Sequence, residues 1–557
     1  MIDLTKLPLS ITSFKEFSAN SMIYVDKTDL VANLACFRGP IFLSRPRRFG
    51  KSTLVSTFHE LFSNGLNRFK GLKIQTENLW NDVTYKVIHV DFSRIKEDTE
   101  NRPFEDKFYL LLKLAFETEN LSIADEGDVI ASFAKTVETA EDKSLVLLID
   151  EYDAPLTATM GDKKEFEKRR ALFSEFFSNV KSFSDKFRFI FITGVTRYSN
   201  TSIFSAFNNI EDISFEPDYG AIVGYTQTDL ELYFKKYIEN AAETLNKKDK
   251  TNKYTYERIL NALKNNYDGY SFDEECEHHV YNPWSILNFL KKPQYGFKPY
   301  WLETGGAKPS LLINYLNNFI DKTVKKTELV DYLNLEFIKR TDTASLSPTI
   351  KSIEDKDFPF FAILYQAGYF TIKSAHRKFL DVGLPNLEVK EAFAELVLEK
   401  ITNKSVASFS YTYESSITKA LKEKDFASLK KEFNKILNEF SYESIHYFKE
   451  YAFRDIYKVI LQIIGYNTYT EYQTSMGRSD LCFEDDQHLY ICEFKITDSA
   501  DSVKTKLKEA QKQIKEKRYG LRLTDKEVIA LAVVIINENK EDGHAPIREV
   551  AAIEEAL

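Results

Sequence analysis

Along its first 235 residues the chain alternates short, mainly apolar runs with longer stretches of helical spacing. The apolar runs are residues 39–43, 87–91, 144–149 and 188–193, and helical spacing covers 52–62 and the region near 107–117. Runs that are apolar on both faces and separated by helices predict a parallel sheet with helices covering it, an α/β fold. The polar, Lys/Asn-rich stretch 245–253 reads as a loop or boundary, and residues 255–375 as mainly helical. Within them Asn282 is placed as a cap and Pro283 as the first residue of a helix. Residues 447–464 carry Phe448, Tyr451, Ile456, Val459, Ile460 and Ile463 on one helical side. Strand patterns over 468–474, 478–483 and 488–494, a basic helix over 501–518 and an apolar strand over 528–536 complete a second α/β unit. The expected division is 1–240, a mainly helical middle or lid region 241–375, and 376–557.

A chain of 557 residues is too long for one core, so several domains are expected. The net charge of −9 argues against a uniform nucleic-acid coat but leaves room for a local basic patch. Residues 504–522 are such a patch, with eight basic and two acidic side chains. The four cysteines form no CxxC pair, which argues against a disulfide scaffold or a cysteine zinc site and points to a reducing, cytoplasmic setting. The longest aliphatic run, 528–536, has nine residues against the ~20 a membrane helix needs, so no membrane partner is expected. No secretory signal is read at the start.

Two constellations carry chemistry. The first is Ser44-Arg45-Pro46-Arg47-Arg48-Phe49-Gly50-Lys51-Ser52-Thr53, between a strand and a helix. It fits the phosphate loop G-x-x-x-x-G-K-[ST], except that Arg45 stands where the first glycine would be. Amides at a helix start favour phosphate, Lys51 would reach the outer phosphates, and the Ser52 hydroxyl would ligate Mg²⁺. About a hundred residues on, an apolar strand ends in Asp150 and Glu151. Asp150 would join the Mg²⁺ shell and Glu151 would polarise the attacking water. Arg48, Gly50 and Thr53 complete the loop's nucleotide contacts, and Thr193 or Arg197 is placed to sense the γ-phosphate. The bland alternative is a cationic turn capping a helix, with solvated acids at a strand end.

The second constellation is Asp480 followed by Glu493-Phe494-Lys495. Alternate residues of a strand share a face, so Glu493 and Lys495 point together. A hairpin closing around Asp485 and Asp486 would set Asp480 opposite Ile491, on that same face. Asp480 and Glu493 would hold Mg²⁺ or Mn²⁺, with Lys495 orienting the nucleophile. Glu450 either adds a carboxylate or pairs with Arg454 on its own helix, and Gln513 is placed to face the site. The alternative is a polar hairpin face. Cys276, His278 and His279 read as loop residues rather than a metal site.

With these residues in view, the chain resembles the bacterial family joining an AAA-ATPase-like domain to a PD-(D/E)xK nuclease-superfamily domain. The resemblance rests on the loop and acids above together with Tyr24-Val-Asp-Lys-Thr28, Thr193-Gly-Val, Tyr267-Asp-Gly-Tyr270 and Val280-Tyr-Asn-Pro-Trp284. Further on it rests on Leu364-Tyr-Gln-Ala-Gly-Tyr369, Leu384-Pro-Asn-Leu-Glu-Val389, Gly477-Arg-Ser-Asp480 and Glu493-Phe-Lys495. It makes Arg45 a family trait. It implies an N-terminal P-loop NTPase sheet binding ATP and Mg²⁺, and a C-terminal restriction-endonuclease-like domain using Mg²⁺ or Mn²⁺ on DNA, with RNA and an oligomer both open. The competing reading is a nucleotide-regulated switch whose nuclease-like domain binds a partner or nucleic acid without cutting.

Overall fold

The apolar runs of the N-terminal part are strands in the computed structural model of the protein, which describes residues 2–95, 102–159, 162–197, 210–248, 253–303, 338–347, 360–402, 406–439, 450–474, 477–485, 487–517, 526–538 and 548–556. They are β1 (Pro40–Ser44), β2 (Lys86–Asp91), β3 (Leu145–Asp150) and β4 (Phe187–Gly194), joined by the two-residue β5 (Glu211–Asp212). All pair in parallel, in the order β2–β3–β4–β1–β5. β3 and β4 are buried along their whole length, as runs without alternation require. The helices Lys51–Asn64, Phe104–Thr118 and Lys163–Ser182 pack through phenylalanines, among them Phe58, Phe108, Phe173 and Phe176.

The chain divides into two compact units, whose described residues run up to Val389 and from Lys390 onward. The first unit contains a second core built from Leu230, Ile238, Leu263, Tyr267, Ile286 and Phe289. Two expectations here need correction. Residues 245–248 are not loop but the end of the helix Lys235–Lys248, because Leu245 continues the buried stripe of Ile238, Ala241 and Ala242. The other concerns what the mainly helical region 255–375 also holds: β6 (Lys339–Thr341) and β7 (Thr371–His376) pair with β8 (Phe379–Gly383), just beyond it, in an antiparallel sheet of order β6–β8–β7. The cap at Asn282 is as read, with Asn282 Oδ1 accepting from the amides of Trp284 and Ser285 at 2.9 and 3.4 Å.

The second unit is built on a mixed sheet, β13–β12–β11–β10–β9. Its strands are β9 (Asn467–Thr474), β10 (Gly477–Glu484), β11 (His488–Thr497), β12 (Glu527–Asn537) and β13 (Arg548–Glu555). On one face lies the helix Val503–Glu516, which buries Leu507, Ala510 and Ile514 against Cys482, Leu489, Ile491 and Ala532. The helix Glu450–Ile463 packs through Tyr457 against Phe494, which points the other way along β11. The start of the expected helix at 447–449 lies outside the described residues. Among the described residues no helix is long and apolar enough to cross a membrane.

Candidate nucleotide cleft and carboxylate site

β1 delivers the chain into the phosphate loop, and the loop opens the helix Lys51–Asn64 with Gly50 as its N-cap at φ 104°. That left-handed conformation favours glycine, while the space around it is open, so backbone shape alone fixes the residue. Arg45, in the first-glycine position, turns its guanidinium away from the loop. It donates to the carbonyls of Ser44, Ser214 and Tyr219 at 2.9, 2.8 and 3.2 Å and lies over the Phe272 ring. It thereby anchors the loop to the 214–219 segment. Lys51 is buried and donates to the carbonyls of Arg45 and Pro46 at 3.0 and 3.3 Å, with Glu151 Oε1 3.4 Å away.

Parallel pairing of β2 and β3 brings Asp91 beside Asp150. Asp150 is pushed up to about 6, first by burial and then by Glu151, with Asp91 adding to the rise; the Ser52 hydroxyl and Lys51 hold it down in part. Glu151 sits at φ 49°. Asp153 is buried beside it and accepts the amides of Val195 and Thr196 at 3.1 and 2.7 Å, fixing the end of β4. Thr193 donates its hydroxyl to the Leu43 carbonyl at 2.8 Å, across from the register partner of β1. Arg197 pairs with Asp212 at 2.5 Å and donates to Ser347 Oγ at 2.6 Å. Neither Thr193 nor Arg197 lines the cleft.

That cleft has a volume of about 520 Å³ and is floored by Arg47–Leu54 and Glu151. One wall is Ile23, Tyr24, Val25 and Lys27, and another is Ile222–Tyr225. Trp284 closes a third side with the Arg48 guanidinium 4.2 Å from its ring centroid. A slot with apolar walls beside a helix N-terminus has the chemistry to receive an anionic group at the amides and a flat apolar group beside it. Sequence reasoning named the floor but missed the walls, Asp91 and the part played by Asp153.

In the second unit the hairpin β10–β11 pairs Leu481 with Cys492 and Cys482 with Ile491. Continuing that register sets Asp480 across from Glu493, not Ile491 as the sequence reading had it. The turn closes one residue later than expected because Asp485 caps it, accepting the amides of Gln487 and His488 at 2.8 and 2.7 Å; Asp486 lies outside the described residues. The shift of two residues keeps the face, so Asp480 stays with Glu493 and Lys495.

Asp480 Oδ2 accepts the Phe494 amide at 2.8 Å. Lys495 Nζ donates to Glu493 Oε1 at 3.0 Å and to the Phe494 carbonyl at 2.9 Å, and Glu450 Oε1 lies 3.8 Å away. Arg454, the other partner considered for Glu450, donates to Asp455 at 2.9 Å. Burial raises Glu493, Asp480 raises it further, and Lys495 opposes both. Burial also raises Glu450, with Lys495 lowering it and Asp480 adding to the rise. Burial works against the charge on Lys495, but Glu493, Glu450 and Asp480 outweigh it and its pKa is raised.

Gln513 is half-buried on the helix Val503–Glu516, one turn from both Glu509 and Lys517. Lys517 lowers Glu493 and Glu509 raises Glu450 through their charges. Among the described residues no group of three or more His, Cys, Asp or Glu side chains is gathered for a metal. The donor set on this face is therefore two carboxylates, with Lys495 between Glu493 and Glu450. Two hard oxygen donors completed by water and phosphate fit a small divalent cation.

Residues 8–204 match the family model of a predicted AAA-ATPase, and residues 448–543 match that of the PD-(D/E)XK nuclease superfamily. The chain joins these two domains in one polypeptide. The AAA-ATPase-like match takes in the phosphate loop, Asp150, Glu151 and Thr193, and the PD-(D/E)XK match takes in Glu450, Asp480, Glu493, Lys495 and Gln513. A curated relative described as an uncharacterized protein in the vnfD 5′ region of Azotobacter chroococcum mcd 1 is 27% identical over 533 residues, spanning 92% of this chain and 93% of the relative.

Proposed function

We propose that the AAA-ATPase-like domain binds and hydrolyses ATP and that the PD-(D/E)XK domain hydrolyses DNA phosphodiesters under its control, in the cytoplasm. The observation that carries the nuclease half is that Asp480 of β10 and Glu493 and Lys495 of β11 share one face of the hairpin, with a basic helix beside them. The domains proposed are the three of the sequence reading, with the helical middle passing on nucleotide state.

In the cleft, the amides of residues 50–53 would receive the phosphates, and Lys51 would exchange the carbonyls of Arg45 and Pro46 for phosphate oxygens. Glu151 would then be released from Lys51 to orient water. Ser52 and Asp150 would hold Mg²⁺, which supplies charge neutralisation at the β- and γ-phosphates. In the second site Asp480 and Glu493 would hold Mg²⁺ or Mn²⁺, which acidifies water and neutralises the scissile phosphate. Lys495 would hold the nucleophile's position, and Gln513 and Glu450 would shape the water network around it. Lysines 504, 506, 508, 512 and 515 of the neighbouring helix offer phosphate contacts.

The decisive assay is cleavage of DNA and RNA of varied form with Mg²⁺ or Mn²⁺, with and without ATP, beside the Asp480→Ala protein. Metal-dependent cutting by the wild type alone supports the proposal. Equal cutting by both proteins, or none by either, refutes the nuclease half.

A further inference from the structure

We propose that Lys27 is the positioning residue of the nucleotide cleft: a clasp that sets the base-facing walls at their distance from the phosphate loop without touching phosphate. This rests on the reading of the cleft as a nucleotide site. Lys27 belongs to Tyr24-Val-Asp-Lys-Thr28, which the phosphate-binding chemistry leaves without a role.

Its ammonium donates to the carbonyls of Ala221 and Gly224 at 2.5 and 3.0 Å and lies 3.3 Å from Asp229 Oδ2. An ammonium has three protons, and these are three acceptors. Two are main-chain carbonyls, one of Gly224 in the opposite wall and one of Ala221 just before it, so the wall's backbone is held rather than a mobile side chain. Asp229 is itself fixed, accepting the Thr226 amide at 2.8 Å in the capping box of the helix Gln227–Tyr233.

The same peptide segment is tied to the floor. Gly224 donates its amide to the Phe49 carbonyl of the phosphate loop at 3.0 Å. Its φ is +85°, and a Cβ there would meet Val280 Cβ at 2.8 Å, so the segment cannot relax outward by substitution at this point. The path Lys27–Gly224–Phe49 therefore links the wall Ile23–Val25, the wall Ile222–Tyr225 and the loop that opens at Gly50. Burial presses against the charge on Lys27, and Asp229 sustains it. A wall held by a charge-assisted bond is preorganised, and binding then avoids the cost of ordering it.

The test uses the full-length chain and two ligands. ATP needs the walls and the floor, while inorganic tripolyphosphate needs the floor alone. Calorimetry with Mg²⁺ on Lys27→Met is expected to show ATP and ADP weakened by about tenfold or more, with tripolyphosphate affinity unchanged. Lys27→Arg is expected to recover part of the loss. Lys51→Ala serves as the separate check of the phosphate loop, since it should weaken both ligands. Unchanged ATP affinity in folded Lys27→Met, or an equal loss for ATP and tripolyphosphate, overturns the clasp. Retention of both affinities by Lys51→Ala overturns the underlying site instead. If Lys27→Met does not fold, Asp229→Asn is read by the same ratio of ATP to tripolyphosphate affinity.

Discussion

Replacing Asp150 by asparagine should make the nucleotide-free protein more stable while removing its use for Mg²⁺. Asp150 is 4% exposed, and burial with Glu151 raises it from 3.8 to about 6. A raised carboxyl favours the folded state in its protonated form. That contribution is complete below the unfolded value near 3.8 and is lost as pH climbs through about 6. Above that, the ionised group costs roughly 3 kcal/mol. Asparagine keeps the shape and removes the charge, so the gain should be roughly 3 kcal/mol at pH 8. At pH 5 the native carboxyl is mostly protonated already, and the gain should shrink by about 1.4 kcal/mol, tenfold in the folding equilibrium.

The three tryptophans, Trp80, Trp284 and Trp301, all lie in the first unit. Their fluorescence during urea unfolding in chelator therefore reports this unit selectively, at pH 5 and pH 8. A variant no more stable than wild type at pH 8, or a gain that grows toward acid, would refute the assignment of a buried, charge-crowded carboxyl waiting for a cation. Proteins tolerate such a cost where a group is held for a ligand.

Other changes separate the sites. Lys51→Ala should abolish nucleotide binding by calorimetry; retained affinity would count against the loop. Asp480→Ala and Glu493→Ala should each eliminate metal-dependent cleavage on gels while leaving ATP affinity intact. Because burial and Asp480 hold Glu493 above the ordinary carboxylate range, protons compete with metal there, and Mn²⁺ affinity by titration should fall as pH is lowered from 8 to 6; a flat profile would contradict this. Gly194→Ala would place a Cβ 2.4 Å from Asp153 Oδ1 and 2.7 Å from the Tyr152 ring. It should destabilise the first unit by about 1–3 kcal/mol in the same fluorescence assay.

Hydrophobic periodicity made the two sheets legible, because strands such as Leu145–Asp150 and Glu527–Asn537 are buried on both faces and read as unbroken apolar runs. The edge strand Arg548–Glu555 was not legible: only Val550 and Ile553 are buried, and Ala551 and Ala552 between them blur its alternation. The site residues were named from local motifs, and local motifs do not carry register. One aspartate side chain, Asp485, moved the β10–β11 turn and changed which residue faces Asp480. Thr193 and Arg197 were placed to sense a γ-phosphate, yet Leu43 and Asp212, 150 residues before the one and 15 after the other, supply their partners. Partners that distant leave no trace in sequence spacing.

The same limit explains why the remaining motifs had no assigned work. Gly269 of Tyr267-Asp-Gly-Tyr270 takes φ +92°, and a Cβ there would lie 2.5 Å from the Pro385 carbonyl. Asn386 donates to the Asp268 carbonyl at 2.7 Å and accepts the Val389 amide at 3.1 Å. Glu388, 2% exposed, accepts the Ser285 hydroxyl and the Trp301 amide, each at 2.8 Å. These contacts fasten the first turn of the helix Leu387–Thr402 to the helix Pro283–Lys291 and to the segment that precedes it. Pro283, Trp284 and Leu287 of that second helix line the nucleotide cleft. A buried carboxylate is costly unless its acceptors are filled, so any movement of Trp284 toward a bound nucleotide must carry Ser285 with it or strip Glu388 of a donor.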